Sequence, residues 1–79
     1  MNKVSVEYDG GLDVVLDEEI NKAAGYSFDG KVKCDSGCMM TAPYTRDLDY
    51  RYEAAEEASS AAENIKQIDG IRVKVSLLQ

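Results

Sequence analysis

Cys34 and Cys38 are separated by Asp35, Ser36 and Gly37 and followed at once by Met39 and Met40. Thiolate and thioether sulfurs are soft donors, so this cluster has the chemistry to hold Cu(I) or a related soft ion. A structural zinc site takes four ligands, usually two Cys pairs or Cys with His, and the 79-residue chain has two Cys and no His. Cys34, Cys38 and Met40 therefore define an alternative, a soft-metal or small-ligand module. The leading expectation is no metal and no cofactor, with Cys34 in the core and Cys38 a loop thiol. A bridge between them through a Ser36-Gly37 turn is sterically conceivable, but a reducing compartment keeps it open.

Catalytic chemistry finds little to work with. Without histidine there is no ordinary triad base, and a cysteine nucleophile lacks its usual activator. Asp47 and Asp49, two apart on a strand pattern, share a face, and Arg46 and Arg51 stand close enough to pair with them as surface ions. Gly10 and Gly11 precede a helix pattern as a phosphate nest does, but Asp9 and Asp13 flank them and repel an anion, and the spacing matches no dinucleotide or P-loop fingerprint. A non-enzyme is expected.

Charge gives the next constraint. Nine Lys plus Arg against fifteen Asp plus Glu leave −6. Nucleic-acid binding by counterion release needs clustered cations, so direct binding of DNA or RNA is not expected. A basic protein is the electrostatically favoured partner. The longest aliphatic run, Val14-Val15-Leu16, is far short of the roughly 20 apolar residues that span a bilayer, and the N-terminus shows no signal core. The expectation is a cytoplasmic address without membrane contact.

The elements that position these residues follow from periodicity. Val4, Val6 and Tyr8 alternate with polar residues as in a half-buried strand, until Asp9-Gly10-Gly11 breaks it. Leu16, Ile20, Ala23 and Ala24 recur at helical spacing, with Asp13 or Asp17 as N-cap and Gly25 as terminator. Phe28, Val32 and Cys34 alternate as a second strand with Gly30 on its apolar side. A long connection from Ser36 to Tyr44 follows, and its Met39, Met40 and Tyr44 are apolar enough to anchor in a partner's pocket. Leu48, Tyr50 and Tyr52 mark a third strand. Ala54, Ala58, Ala61, Ile65 and Ile68 make a helical stripe ended by Gly70, and Ile71, Val73, Val75 and Leu77 form a fourth strand.

The order is βαββαβ, in two similar halves: Val4, Val6 and Tyr8 lie 44 residues before Leu48, Tyr50 and Tyr52. On element order over nearly the whole chain this resembles the ferredoxin-like superfold. The resemblance implies a single α+β domain over residues 1–79, a four-stranded antiparallel sheet with both helices on one face. RNA-recognition motifs share the order but stack bases on outward aromatics. Here Tyr8, Tyr50 and Tyr52 are in phase with Val4, Val6 and Leu48 and belong to the core. Some copper chaperones share the fold too, with paired cysteines after the first strand, where this chain has Asp9, Gly10, Gly11 and Leu12.

Outward strand positions collect Lys3, Lys31, Lys33, Arg51, Arg72 and Lys74 against Glu7, Asp29, Asp35, Asp47 and Asp49. That leaves the acid on the helical side, where carboxylates at helix starts also meet the positive dipole end. In size and charge the chain is similar to small acidic phage inhibitors of bacterial defence, including anti-CRISPR proteins. The functional expectation is a small acidic protein-binding module, an inhibitor or nucleic-acid decoy acting on a basic nucleic-acid-handling protein. Its expected contacts are Asp17, Glu18, Glu19, Glu56, Glu57 and Glu63 for charge, and Met39, Met40 and Tyr44 as anchor.

Overall fold

The structure, a computed structural model, describes residues 2–38 and 41–77. Its elements are β1 (Asn2–Asp9), α1 (Val14–Ala24), β2 (Lys33–Cys38), β3 (Thr45–Tyr52), α2 (Ala55–Ile65) and β4 (Arg72–Ser76). The strands form one antiparallel sheet in the order β2-β3-β1-β4. The element order and this sheet are those of the ferredoxin-like α+β fold.

Register follows from the apolar phase of the central strands. Val4 pairs with Tyr50 and Val6 with Leu48, so the large apolar residues of β1 and β3 all reach one side. There they meet Ile20 and Ala24 of α1 and Ala58, Ala61, Ala62 and Ile65 of α2 in a single buried cluster. The alanine stripe of α2 lets that helix lie close to the sheet. Three tyrosines are the cluster's bulkiest members. Tyr8, Tyr50 and Tyr52 are at most 4 % exposed, which places them in the core and off the open face.

Those tyrosines also hold α1 in place. The Tyr8 hydroxyl accepts from the Asp13 amide at 3.0 Å and donates to Asp17 Oδ1 at 2.5 Å. The Tyr50 hydroxyl donates to Asn21 Oδ1, and the Tyr52 hydroxyl donates to the Ala24 carbonyl at 2.6 Å. Asp17, Asn21 and Ala24 step by four and three, one stripe of the helix. Burial pushes all three phenols above their ordinary range, Tyr52 to about 12, so each stays protonated as a donor. Arg46 completes the contact. It is in phase with Leu48 and so points inward, where Nε and Nη2 donate to Asp17 Oδ2 at 3.1 and 2.9 Å. Its Nη1 donates to the Gly37 carbonyl at 3.2 Å, which ties in β2.

Helix ends are set locally. Asp13 Oδ1 accepts from the Leu16 amide and caps α1. At its other end Gly25 adopts φ +74, a left-handed conformation that an L side chain resists. The Gly25 amide then donates to Lys22 and the Tyr26 amide to Asn21, a Schellman closure.

Three expectations are corrected. Phe28 is not a strand residue: the Gly30 amide bonds to the Ser27 carbonyl, and the resulting turn leaves Phe28 98 % exposed. The second strand starts later, at Lys33, and runs on through Cys38, so the connection to β3 is shorter than nine residues. The second helix stops at Ile65 rather than at Gly70. Beyond it the chain tightens into turn bonds from Gln67 to Asn64 and Ile68 to Ile65, while Ile68 still packs on the core.

The Asp17–Arg46 pair is largely withdrawn from water, and breaking such a pair leaves an uncompensated charge. Asp17→Ala should lower unfolding stability by about 3 kcal/mol in urea titrations, a large fraction of the total for a domain this small. The double change Asp17→Leu with Arg46→Met should recover part of that loss. A loss under about 0.5 kcal/mol for Asp17→Ala would show the pair to be incidental.

Candidate functional site

The open face of the sheet is charged and balanced. Lys3, Lys33, Arg51, Arg72 and Lys74 stand against Glu7, Asp9, Asp35, Asp47 and Asp49. Lys31 and Asp29, expected on this face, lie before β2, and Asp9 joins it as the last residue of β1. Arg51 pairs with Asp35 at 3.0 Å, and Arg72 bridges Glu7 at 2.5 Å and Asp9 at 3.0 Å. Arg46 and Arg51 therefore spend their charge on Asp17 and Asp35 rather than on Asp47 and Asp49.

The imbalance lies elsewhere. Apart from the open face and the Arg46–Asp17 pair, nine carboxylates remain against Lys22, Lys31 and Lys66, which accounts for the whole net charge of −6. Glu18, Glu19, Glu56, Glu57 and Glu63 are all exposed there. Glu56 and Glu57 occupy the first turn of α2, where the helix dipole favours them. Glu63 is held loosely by Lys66 at 3.7 Å, a surface pair of little energetic weight. Asp17 is the exception among the expected contacts. It is 9 % exposed and fully engaged by Tyr8 and Arg46, so it is an internal anchor and drops out of the partner surface.

Between the end of α1 and α2 runs an open groove of about 550 Å³. Ala23, Ala24, Ala61 and Val32 line it together with Glu56 and Glu57, and Lys22 reaches it from α1. Small apolar walls beside two carboxylates suit the aliphatic stem and cationic head of a lysine or arginine.

The sulfur cluster does not assemble. Cys34 pairs with Tyr50 and Cys38 with Arg46 on one side of β2, so four residues of extended strand keep them about 13 Å apart. That exceeds the reach of a disulfide or of two ligands on one ion. Cys38, expected as a loop thiol, is instead the last residue of β2, which rules out a bridge through a Ser36-Gly37 turn and sets apart the two thiols of the soft-metal alternative. Burial pushes the Cys34 thiol above its ordinary range. Met39 and Met40, expected as anchors and in Met40's case as a ligand, lie outside the described residues. Among the described residues no three Cys, Asp or Glu side chains are grouped to hold a metal ion, and no helix is long and apolar enough to cross a membrane.

Tyr44 is half exposed at the other end of the molecule. Its carbonyl accepts from the Gly10 amide at 2.9 Å, and a Cβ at Gly11 would lie 3.7 Å from Tyr44 Cβ. Leu12, Val14 and Val15, which follow Gly10 and Gly11 in the chain, are exposed too. Sequence reasoning passed over these three. The available signal was phase: Val14 and Val15 fall off the inward stripe of Asp17, Ile20 and Ala24.

No protein-family model, curated protein or solved structure matches the chain.

With the thiols held apart, mild oxidation should leave both titratable by Ellman's reagent, and Cys34 should alkylate at least about tenfold more slowly in the native protein than in urea at pH 8. Rapid formation of an intramolecular disulfide would contradict the extension of β2 through Cys38.

Proposed function

We propose that this chain is a small acidic protein-binding module that acts on a basic, nucleic-acid-handling protein as an inhibitor or decoy, by binding and not by catalysis. The observation that carries this reading is the placement of charge. The open sheet face is neutral and the entire excess of six carboxylates lies on the helical layer and its loops. A one-signed surface on a compact scaffold accelerates encounter with an oppositely charged groove and repels competing anions. Rows of carboxylates on Glu18, Glu19, Glu56, Glu57 and Glu63 offer a cationic groove the charge it ordinarily receives from phosphates. The likeness to phage anti-defence inhibitors of the anti-CRISPR type belongs to this proposal, as does a cytoplasmic setting. It is supported by size and charge alone.

The lining of the groove beside Glu56 and Glu57 gives those residues the largest share of the expected contact. Tagged protein should capture a basic nuclease or nucleic-acid-binding protein from bacterial lysate at about 0.1 M salt and release it at about 0.5 M, where the Debye length is roughly halved. Added protein should displace labelled DNA or RNA from that partner. Glu56→Lys with Glu57→Lys should slow association by about tenfold and flatten its salt dependence with the domain still folded, the thermal midpoint falling by about 5 °C through the lost helix-dipole contacts. Unchanged affinity and salt slope in that double variant would overturn the assignment of the helical layer.

A further inference from the structure

The strongest feature outside that charge distribution is apolar. Leu12, Val14, Val15 and Tyr44 are 61, 59, 68 and 53 % exposed, the first three at the start of α1 and the fourth on the segment that Gly10 binds. The Gly10 amide binds the Tyr44 carbonyl at 2.9 Å, and a Cβ at Gly11, the residue before Leu12, would lie 3.7 Å from Tyr44 Cβ, so the segment before α1 and the segment before β3 form one end of the molecule. Val14 and Val15 are the first two residues of α1. A contiguous apolar patch on a small domain, as opposed to single scattered side chains, marks an interaction surface.

The tyrosines explain why the valines are outside. With Asp17, Asn21 and Ala24 bonded to Tyr8, Tyr50 and Tyr52, α1 has one permitted rotation, and in it Val14 and Val15 stay in water. One turn further along the same exposed surface come Glu18 and Glu19, four residues after Val14 and Val15. Asp13 borders the patch on the other side.

We infer that this end of the molecule is the docking site for a basic amphipathic segment of a partner protein, whose apolar side chains cover Leu12, Val14, Val15 and Tyr44 while its cations meet Asp13, Glu18 and Glu19. The acidic border selects this occupant. Two copies of the chain joined through the patch by a two-fold axis bring the same three carboxylates together, which is repulsive. Anionic lipid and nucleic acid are disfavoured by the same sign. An apolar surface edged in acid is complementary to an apolar stripe edged in Lys or Arg. The inference rests on the reading of the chain as a binder of basic proteins, and it puts the apolar anchor at the start of α1, away from Glu56 and Glu57.

The test uses the full chain labelled with ¹⁵N and a synthetic peptide of Leu and Lys at helical spacing, with oligolysine and a scrambled peptide as controls, at about 0.1 M salt. Amide shifts are expected to concentrate at Leu12–Glu19 and Tyr44 with the amphipathic peptide, and to be much weaker there with both controls. Val15→Ser and Tyr44→Ser, whose side chains lie outside the core, should each weaken binding at least about fivefold without moving the thermal midpoint. Glu18→Lys with Glu19→Lys should do the same, while the equal charge change at two exposed carboxylates outside either surface, Glu53→Lys with Asp69→Lys, should change it less than about twofold. Shifts that map to the groove at Glu56 and Glu57 would overturn this inference and leave the wider reading standing. Equal effects of oligolysine at the patch would overturn it too, because the apolar residues would then contribute nothing. If sedimentation shows a dimer that Val15→Ser dissociates, the occupant is a second copy and the inference fails. No binding of any cationic probe at any surface would remove both readings.

Discussion

The row of tyrosine hydroxyls on α1 is the contact on which the rest of the structure depends. A helix that turned Leu16, Ile20 and several larger apolar residues inward would be fixed by packing alone. α1 buries only Ile20 and Ala24 among apolar residues, with Leu16 and Ala23 partly covered. The remaining inward positions are Asp17 and Asn21, polar groups whose burial is costly unless they are bonded. Tyr8, Tyr50 and Tyr52 meet that demand from two adjacent central strands. Their rings fill the core while their hydroxyls fix the helix's rotation and its position along the sheet. The charged end is completed by Arg46, which shares Asp17 and reaches the Gly37 carbonyl of β2. One constellation therefore joins α1 to three strands.

The surface follows from that constraint. Once Asp17 and Asn21 face the sheet, Glu18 and Glu19 must face outward, and Val14 and Val15 are left in solvent beside Leu12 and Tyr44. On α2 the alanines sink to the sheet and Glu56, Glu57 and Glu63 remain exposed. The sheet's other side is neutral, with the Arg51–Asp35 and Arg72–Glu7–Asp9 pairs beside Lys3, Lys33 and Lys74 against Asp47 and Asp49. The molecule thus presents a balanced face and an acidic one, with an apolar end on the acidic side. That division supports a binding role, since it combines a field for encounter with a small dehydrating contact for retention.

Much of this was legible in the sequence. The alternation of Val4, Val6 and Tyr8 and of Leu48, Tyr50 and Tyr52 placed the core side of both central strands, and the alanine stripe placed α2. Where the reading failed, a local pattern was overridden by a hydrogen bond or a register. Phe28 alternates correctly with Val32 and Cys34, yet the Ser27–Gly30 turn removes it from the strand. Cys38 follows a Ser-Gly pair that looks like a turn, but pairing with Arg46 on β3 extends β2 through it. Asp17 carried a signal that charge obscured: it lies three and seven residues before Ile20 and Ala24, on the buried stripe. Arg46, two before Leu48, was likewise in the inward phase. Reading those two as a buried pair required ranking phase above charge, and only the tyrosine hydroxyl and the opposing guanidinium make that ranking physically affordable.

Native-state hydrogen exchange tests the central claim most directly, because it reports the opening of each element separately. Tyr50→Phe and Tyr52→Phe remove two hydroxyls and leave the rings in the core. If the hydroxyls hold α1, amides from Leu16 to Ala24 should lose at least about tenfold in protection, equivalent to about 1.4 kcal/mol, while those of β1, β3 and α2 keep theirs. Unchanged protection in α1, or an equal loss across every element, would contradict the account and assign the helix's position to packing alone.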